Sequence, residues 1–574
     1  MSQTIGVFVA WPYANGDLHL GHVAGAYLPA DIFARYHRLR GNKVLMVSGS
    51  DAHGTPITLK AKEEGLTPLE VVKRYHHRFL LGWQGLGISF DLFTHTHTQN
   101  HIDITQTIFK KLLEQGDLSI KAENQYYDET ADLFLPDRYV RGTCPHCSSP
   151  RARGDQCEAC GATFEGPMLI DPISTISNTT PIIRETSHYF FEMESYAERL
   201  MKHLDASPHW RPAVQNFTRV MIQNGLRPRP ITRDIDWGVP VPAEGWEDKV
   251  IYVWFDAVIG YLSASVEWSN AAGVGNAWES WWKDGSAKSF YFIGKDNIPF
   301  HSVIWPIELM AYDPSLNLPY DVPANQFLNI EGEKLSTSRG MAIWLLETLE
   351  KFDPDALRYY VASILPETKD ANFSWDEFVM RNNGELVAAW GNLVNRVLGF
   401  AYSRYEGKVP EPKELDDRDK GLLAEIAKGF PEVAKAYEEV RLRDALKEAM
   451  RLTREVNRYL DDKAPWTAFK VDKEQAGTSI FVAMRAIDSL KTLFAPVLPF
   501  SAEKVHRIFG GTEPLFGDIA IEARQEGTEA HEVLSYHPGA AEQEGRDRWA
   551  PSELAPGTPF AKPEPLYKVL EPLG

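Results

Sequence analysis

Residues 11–28, WPYANGDLHLGHVAGAYL, decide the fold. They follow an apolar run at 4–10 that reads as a first β-strand, and they open a segment with helical spacing at 20–40 that stops at Gly41. A second apolar run, KVLMVS (43–48), comes next. Strand, helix and strand in that order build a parallel sheet. At the turn into such a helix, backbone N–H groups and the positive end of the helix dipole point into the crevice where nucleotide phosphates bind. Gly21 omits a Cβ where a ligand comes close. His19 and His22 lie one helical turn apart on one face and can donate hydrogen bonds to a polyphosphate. A helix cap, or two surface imidazoles, is the plainer reading of the same pair.

The pattern returns in KVIYVWFDAVIG (249–260), SFYFIG (289–294), the helix-like FHSVIWPIELMA (300–311) and QFLNIEG (326–332). The expectation is an α/β, doubly wound, Rossmann-like parallel sheet in two halves, 1–115 and 231–325, followed by a linker unit at 326–385. Between the halves, 116–230 holds Gly/Pro-rich turns, alternating runs such as QYYDETADLFLP and all the cysteines, so a separate small domain is expected. From about residue 376, long helical periodicity with few glycines predicts an all-α bundle, placed at 386–510. Residues 511–574, rich in Glu, Gly and Pro, read as a loosely structured tail whose KPEPLYKVL segment can pack back.

At 574 residues the chain is too long for one ordinary core. No run reaches the roughly 18 apolar residues of a membrane span. The start, MSQTIGVFVA, lacks the basic segment of a signal peptide, so a cytoplasmic protein is expected. A net charge of −19 argues against loose, sequence-independent binding to nucleic acid, so any nucleic-acid partner is expected to be recognised locally.

The cysteines form C-P-H-C (144–147) and C-E-A-C (157–160) with nine residues between. Two such knuckles bring Cys144, Cys147, Cys157 and Cys160 into a tetrahedron suited to one Zn²⁺, structural because no ligand position stays open, with His146 a bystander. His95, His97 and His101 in FTHTHTQNH have no acidic partner among them and read as a strand or loop edge. The chain lacks the G-x-x-x-x-G-K-[ST] loop, and no G-x-G-x-x-G follows its first strand. KLSTS (334–338), continued by Arg339 and Gly340, sets two cations beside closely spaced hydroxyls, a clamp for charge developing on a leaving pyrophosphate. In GKDN (294–297), Gly294 ends a strand and Asp296 can accept from ribose hydroxyls.

His19-Leu20-Gly21-His22 and Lys334-Leu335-Ser336-Thr337-Ser338 resemble the HIGH and KMSKS signatures of class I aminoacyl-tRNA synthetases. PYANGDLHLGH, SGSDAHGTP, YVWFDAVIGY, FIGKDNIPFH and APW resemble the methionyl-tRNA synthetases block by block over about residues 4–500. The resemblance implies ATP-dependent attachment of methionine to tRNA(Met) for initiation and elongation, through a methionyl adenylate, with Mg²⁺ accompanying ATP. It implies that His19 and His22 stabilise the triphosphate, that Lys334 and Arg339 hold the departing pyrophosphate, and that Gly21, Gly294 and Asp296 line the ATP site. Asp51 matches the carboxylate set against the substrate ammonium. Tyr13, Trp254, Ala257, Tyr261 and His301 match the side-chain pocket, and Arg233 an arginine that positions the acidic residue and the substrate carboxylate.

Asn392, Arg396 and Trp466 match the readers of the CAU anticodon in an anticodon-binding bundle. A polar pair beside an aromatic platform suits unpaired bases. Arg35, Arg38, Arg40 and Lys43 are read either as contacts to the acceptor arm or as a solvated face. The sequence departs from the family at Thr337, where lysine is usual and one positive charge is lost. It departs again at Trp11 and Val258, where a smaller aliphatic residue and a proline are usual, so the pocket rim is expected to be reshaped. The insertion is too small for the editing domain of the leucine, isoleucine and valine enzymes. A catalytically silent tRNA-binding protein and a small-molecule nucleotidylyltransferase are the other readings weighed. No dimerising appendage is evident, and a monomer is expected.

Overall fold

The computed structural model describes residues 2–572 except 155, 158, 161, 163, 165, 331, 332, 335–341, 527 and 528, and only the backbone of Glu333 and Lys334. The first half runs β1 (Thr4–Val9), α1 (Leu20–His22), α2 (Leu28–Leu39), β2 (Lys43–Ser50), α3 (Pro68–Leu86), β3 (Leu92–His95) and α4 (Gln99–Gln115). A π-helical stretch, Val23–Tyr27, joins α1 to α2. The second half runs α5 (Val253–Ala271), β4 (Lys288–Gly294), α6 (Trp305–Tyr312) and β5 (Ala324–Asn325). The bundle contains α7 (Asn392–Arg404), α8 (Asp417–Glu438), α9 (Leu442–Lys463), α10 (Lys473–Phe494) and α11 (Pro499–Ile508), and two strands, β6 (Asp518–Glu526) and β7 (Glu529–His537), follow it.

The main sheet has the order β5-β4-β1-β2-β3-β7-β6, parallel from β5 to β3. Ile5 to Val9 of β1 are buried without alternation, as expected where helices cover both faces of a parallel sheet. β1 pairs with β2 from its own half and β4 from the other, Val7 facing both Met46 and Phe290. The winding reverses there, and a crevice opens beyond the carboxyl ends of β1 and β4.

Three expectations change. In KVIYVWFDAVIG only Val250–Ile251 is strand, and helix begins at Val253. That helix is buried nearly all round, so it carries no polar stripe to distinguish it from a buried strand. QFLNIEG supplies a strand, Leu328–Ile330, that pairs with Glu333–Lys334 and Ala371–Phe373 in a separate small sheet. The segment expected to be a loose tail instead builds the β6–β7 hairpin, added antiparallel to the edge of the main sheet through Leu534 and Phe93. Trp549, Phe560, Leu566 and Tyr567 beyond it are buried, and the Tyr567 hydroxyl lies 2.7 Å from that of Ser501, so KPEPLYKVL does pack back.

The insertion is built on a long antiparallel pair, Leu118–Asp128 with Ile182–Phe191. The bundle is bolted to the sheet by Arg358, fully buried. Its guanidinium meets the Asp31 carboxylate at 2.6 Å and donates to the carbonyls of Leu86, Pro496 and Val497. Arg35 and Arg38 are buried as well, contrary to either sequence reading. Arg35 pairs with Asp31 and donates to the Gly87 carbonyl, while Arg38 grips Ser89 and Asp91. They stitch α2 to the turn after α3 and have no surface left for RNA. Arg40 pairs with Asp547 at 2.9 Å, and Lys43 is exposed.

Candidate active site

His19 is the N-cap of α1. Its Nδ1 accepts from the Gly21 amide at 3.1 Å, the His22 Nδ1 accepts from the His19 amide at 3.2 Å, and the rings stack with centroids 3.9 Å apart. This is a capping box made of imidazoles, so the plainer reading and the functional one hold together. With Nδ1 accepting, each neutral ring carries its proton on Nε2. Burial lowers the His22 pKa to about 4, which keeps that ring neutral. Two Nε2–H donors are therefore fixed in polarity at the crevice before any anion arrives.

The chain after the second motif lies along this cap. Leu20 N–H donates to the Ile343 carbonyl at 3.0 Å and Leu345 N–H to the Leu18 carbonyl at 2.8 Å. The Lys334 backbone pairs with Asn329, and Thr337 and Arg339 lie outside the described residues. β4 ends at Gly294, where a Cβ would meet nothing within 4 Å, and exposed Asp296 follows in a short turn.

Beside the cap, the turn after β1 is laced to the end of β2. Asp51 N–H donates to the Pro12 carbonyl at 2.8 Å and Ala14 N–H to the Asp51 carbonyl at 2.9 Å. The Asp51 carboxyl is buried, and burial together with the charge of Asp256 raises its pKa well above the carboxylate range. A cation placed beside this carboxyl would offset that penalty. Trp254, Ala257 and Tyr261 share a face of α5 by helical spacing. The Trp254 indole N–H donates to the Tyr13 hydroxyl. The Tyr261 hydroxyl meets His301 Nε2 at 2.6 Å, and His301 Nδ1–H donates to the Asn297 carbonyl at 2.9 Å.

Trp11 wedges between Gly49 and Gly260, where an added Cβ would fall 2.1 Å and 2.6 Å from its indole, and its ring sits edge-on to Tyr261 at 6.4 Å. Val258 is buried behind that face. Arg233 stacks over Tyr252 at 3.7 Å, donates to the carbonyls of Pro230 and Thr232, and pairs with Asp137 at 3.5 Å.

Sequence reading missed His53 and Asp256. The His53 Nδ1 meets the Asp256 carboxylate at 2.8 Å and its Nε2 meets His97 at 3.0 Å, both residues of the first pair fully buried. Burial lowers the His53 pKa to about 3 and raises that of Asp256. The partners are 203 residues apart, beyond any local signal. His95 ends β3 and packs against His76 and His531, whereas His101 lies in the first turn of α4 and not on a strand or loop edge, its ring 2.8 Å from the Ser263 hydroxyl.

A family model described as tRNA synthetases class I (M) matches residues 5–398, and one described as the anticodon binding domain of methionyl tRNA ligase matches 409–530. A methionine–tRNA ligase of Thermomicrobium roseum is 59% identical over 571 residues, covering 100% of this chain and 97% of the relative. The chain belongs to the methionyl-tRNA synthetase family. A methionine–tRNA ligase of a Roseiflexus species is 51% identical, again over 100% of this chain and 97% of the relative. The Mycobacterium tuberculosis methionyl-tRNA synthetase, solved in complex with methionyl-adenylate, shares the fold with a TM-score of 0.77 at 24% identity, over 99% of both chains.

In this methionyl-tRNA synthetase chain the four cysteines converge. Sγ atoms of Cys144 and Cys160 lie 3.9 Å apart, those of Cys147 and Cys157 3.6 Å, and all four fall within 4.8 Å of one another. Sulfurs at about 2.3 Å from a tetrahedral ion stand roughly 3.8 Å apart, so the donors fit one metal ion and are too distant for disulfides. His146 is not among the converging ligands and stacks on Phe164.

Asn392 and Arg396 are exposed one turn apart at the start of α7. The Arg396 guanidinium stacks over Trp466 at 4.6 Å, and Phe400 abuts the same ring edge-on at 5.1 Å. Ala464, at φ +41°, ends α9 in a left-handed turn, and Pro465 starts the next short helix, which carries Trp466. The structure thus brings the three sequence-predicted residues to one surface.

Proposed function

We propose that the chain carries out methionine–tRNA ligation with the residues named above in the following roles. The ammonium of L-methionine pairs with Asp51, and the thioether lies among Tyr13, Trp254, Ala257, Tyr261 and His301, with Trp11 closing the slot. A methionine carboxylate oxygen attacks the α-phosphorus of ATP. The new O–P bond forms as the bond to the bridging oxygen breaks, and pyrophosphate leaves with that electron pair. The Nε2–H donors of His19 and His22 meet the phosphate oxygens, Asp296 and Gly294 hold the nucleoside, and Lys334 with Arg339 neutralises the departing pyrophosphate. The terminal ribose hydroxyl of tRNA(Met) then attacks the methionyl carbonyl: the ester C–O bond forms as the bond from that carbon to the phosphate oxygen breaks, and AMP leaves with that electron pair and takes up the hydroxyl proton. Positioning supplies most of the rate, because no side chain becomes covalently bonded to the substrate.

The observation that carries this reading is the lacing of Asp51 to Pro12 and Ala14, which sets a buried carboxylate beside the turn that leads to the two imidazole donors. Arg233 is assigned a supporting place through Tyr252 and Asp137. Asn392, Arg396 and Trp466 receive the anticodon bases. Cys144, Cys147, Cys157 and Cys160 hold a structural Zn²⁺, and Mg²⁺ enters with ATP. Among the described residues no helix is long and apolar enough to cross a membrane. We assign the chain to the cytoplasm, the site of translation, as a monomer; a stable dimer in sedimentation would overturn the latter.

The test is amino-acid-dependent ATP–pyrophosphate exchange without tRNA. Exchange with methionine alone, lost in Lys334→Ala, is expected. Exchange with another amino acid overturns the pocket assignment, and none at all favours the silent tRNA-binding reading.

A further inference from the structure

The β6–β7 hairpin grips both walls of the pocket. His76 of α3 is buried, and its ring spans from the hairpin to β2: Nε2 lies 2.7 Å from the Glu532 carbonyl and Nδ1 2.8 Å from the Ser50 hydroxyl. A carbonyl only accepts, so Nε2 carries the proton and Nδ1 accepts from Ser50. Burial holds the ring neutral, with its pKa lowered to about 4. Ser50 is the last residue of β2, directly before Asp51.

The adjacent hairpin residue, His531, meets the Glu267 carboxylate at 3.1 Å, and Arg524 of β6 reaches the same carboxylate at 3.4 Å. Glu267 lies on α5, the helix that presents Trp254, Ala257 and Tyr261. A third grip is the Glu526 carboxylate, which accepts from the amides of Gln99 and Asn100 at the start of α4. Asn100 donates onward to the Ser263 carbonyl of α5 at 2.9 Å.

We propose that the hairpin is a positioning element of the methionine site, setting Asp51 through His76 and Ser50, and α5 through Glu267. The inference rests on the methionine-activating reading above. It makes His76 and Ser50 positioning residues rather than catalytic ones, and it gives the C-terminal segment, which follows the bundle directly in the chain, a hold on the adenylation site.

The test uses the full chain in ATP–pyrophosphate exchange, comparing wild type, His76→Phe, Ser50→Ala, the double variant and His76→Gln. Each single variant is expected to raise KM for methionine about tenfold, with kcat and KM for ATP within about twofold. The double variant is expected to be no worse than His76→Phe, because both changes break one bridge. His76→Gln, whose amide offers an acceptor and a donor, is expected to recover most of the loss. An unchanged KM for methionine in Ser50→Ala, a variant that removes one oxygen and keeps the strand, overturns the proposal. So does a parallel rise in both KM values with a fall in kcat, the mark of general loosening. Absence of exchange in the wild type overturns the functional reading itself, a result distinct from a variant-specific null.

Discussion

The proposed methionine pocket and the proposed anticodon face solve recognition in opposite ways. In the pocket each working side chain is held by another: Tyr13 by Trp254, Tyr261 by His301, His301 by the Asn297 carbonyl. On the proposed anticodon face Asn392 and Arg396 are exposed, and the Arg396 guanidinium stacks over Trp466. The ligands explain the contrast. An unbranched thioether offers only a weak acceptor, so walls of fixed shape must do the discriminating. Unpaired bases bring their own stacking surfaces and polar edges, so an open platform suffices.

The contrast is most exposed to failure at Asp51. Asp51→Asn is expected to lower methionine-dependent exchange by ~100-fold or more, since it leaves a buried ammonium without its counter-charge, while tRNA binding measured by filter retention stays at the wild-type level. Next is Trp466→Ala, expected to cost about 1–3 kcal/mol of base stacking. That is a fall of roughly fivefold to 150-fold in tRNA charging efficiency, with exchange within about twofold. Equal losses in both assays would erase the division between the two regions.

Metal removal ranks third. Stripping with a chelator is expected to make all four thiols reactive toward a thiol reagent and to melt the knuckle alone, with bundle melting unchanged in calorimetry. The smallest effect is on pH. A group whose pKa burial depresses is neutral above the depressed value, so His22, lowered to about 4, stays a neutral donor down to roughly pH 5. In histidine-selective NMR, the resonance lost in His22→Gln should show no titration between pH 8 and 5. A midpoint near 6.5 would mean that the site is not dry.

The helix start at His19 and His22 and the convergence of the cysteines were legible in short local motifs, whereas Asp51, Trp254 and Tyr261 were singled out only by the resemblance to the family. What escaped needed tertiary contact. His53 and Asp256 meet across two halves of the sheet, and Arg35 and Arg38 look solvent-facing until Asp31 and Asp91 are seen opposite them. The hairpin did leave a trace, since the runs DIAIEARQE and EAHEVLSYH alternate in part and flank Gly527-Thr528, a hairpin signal. The surrounding Glu, Gly and Pro content hid it. KVIYVWFDAVIG was misread because a helix buried nearly all round has no period to find.

The Trp11 slot has a consequence for how this chain can drift over generations. A Cβ at Gly260 is barred by the indole, whose atoms are the three nearest. Should Trp11 shrink, alanine at 260 becomes admissible, and within α5 it gains roughly 1 kcal/mol of helix propensity over glycine. Once that change is fixed, a returning tryptophan would meet the new methyl group. The pocket rim is therefore a ratchet: the step away from Trp11 is open, and the step back closes behind it.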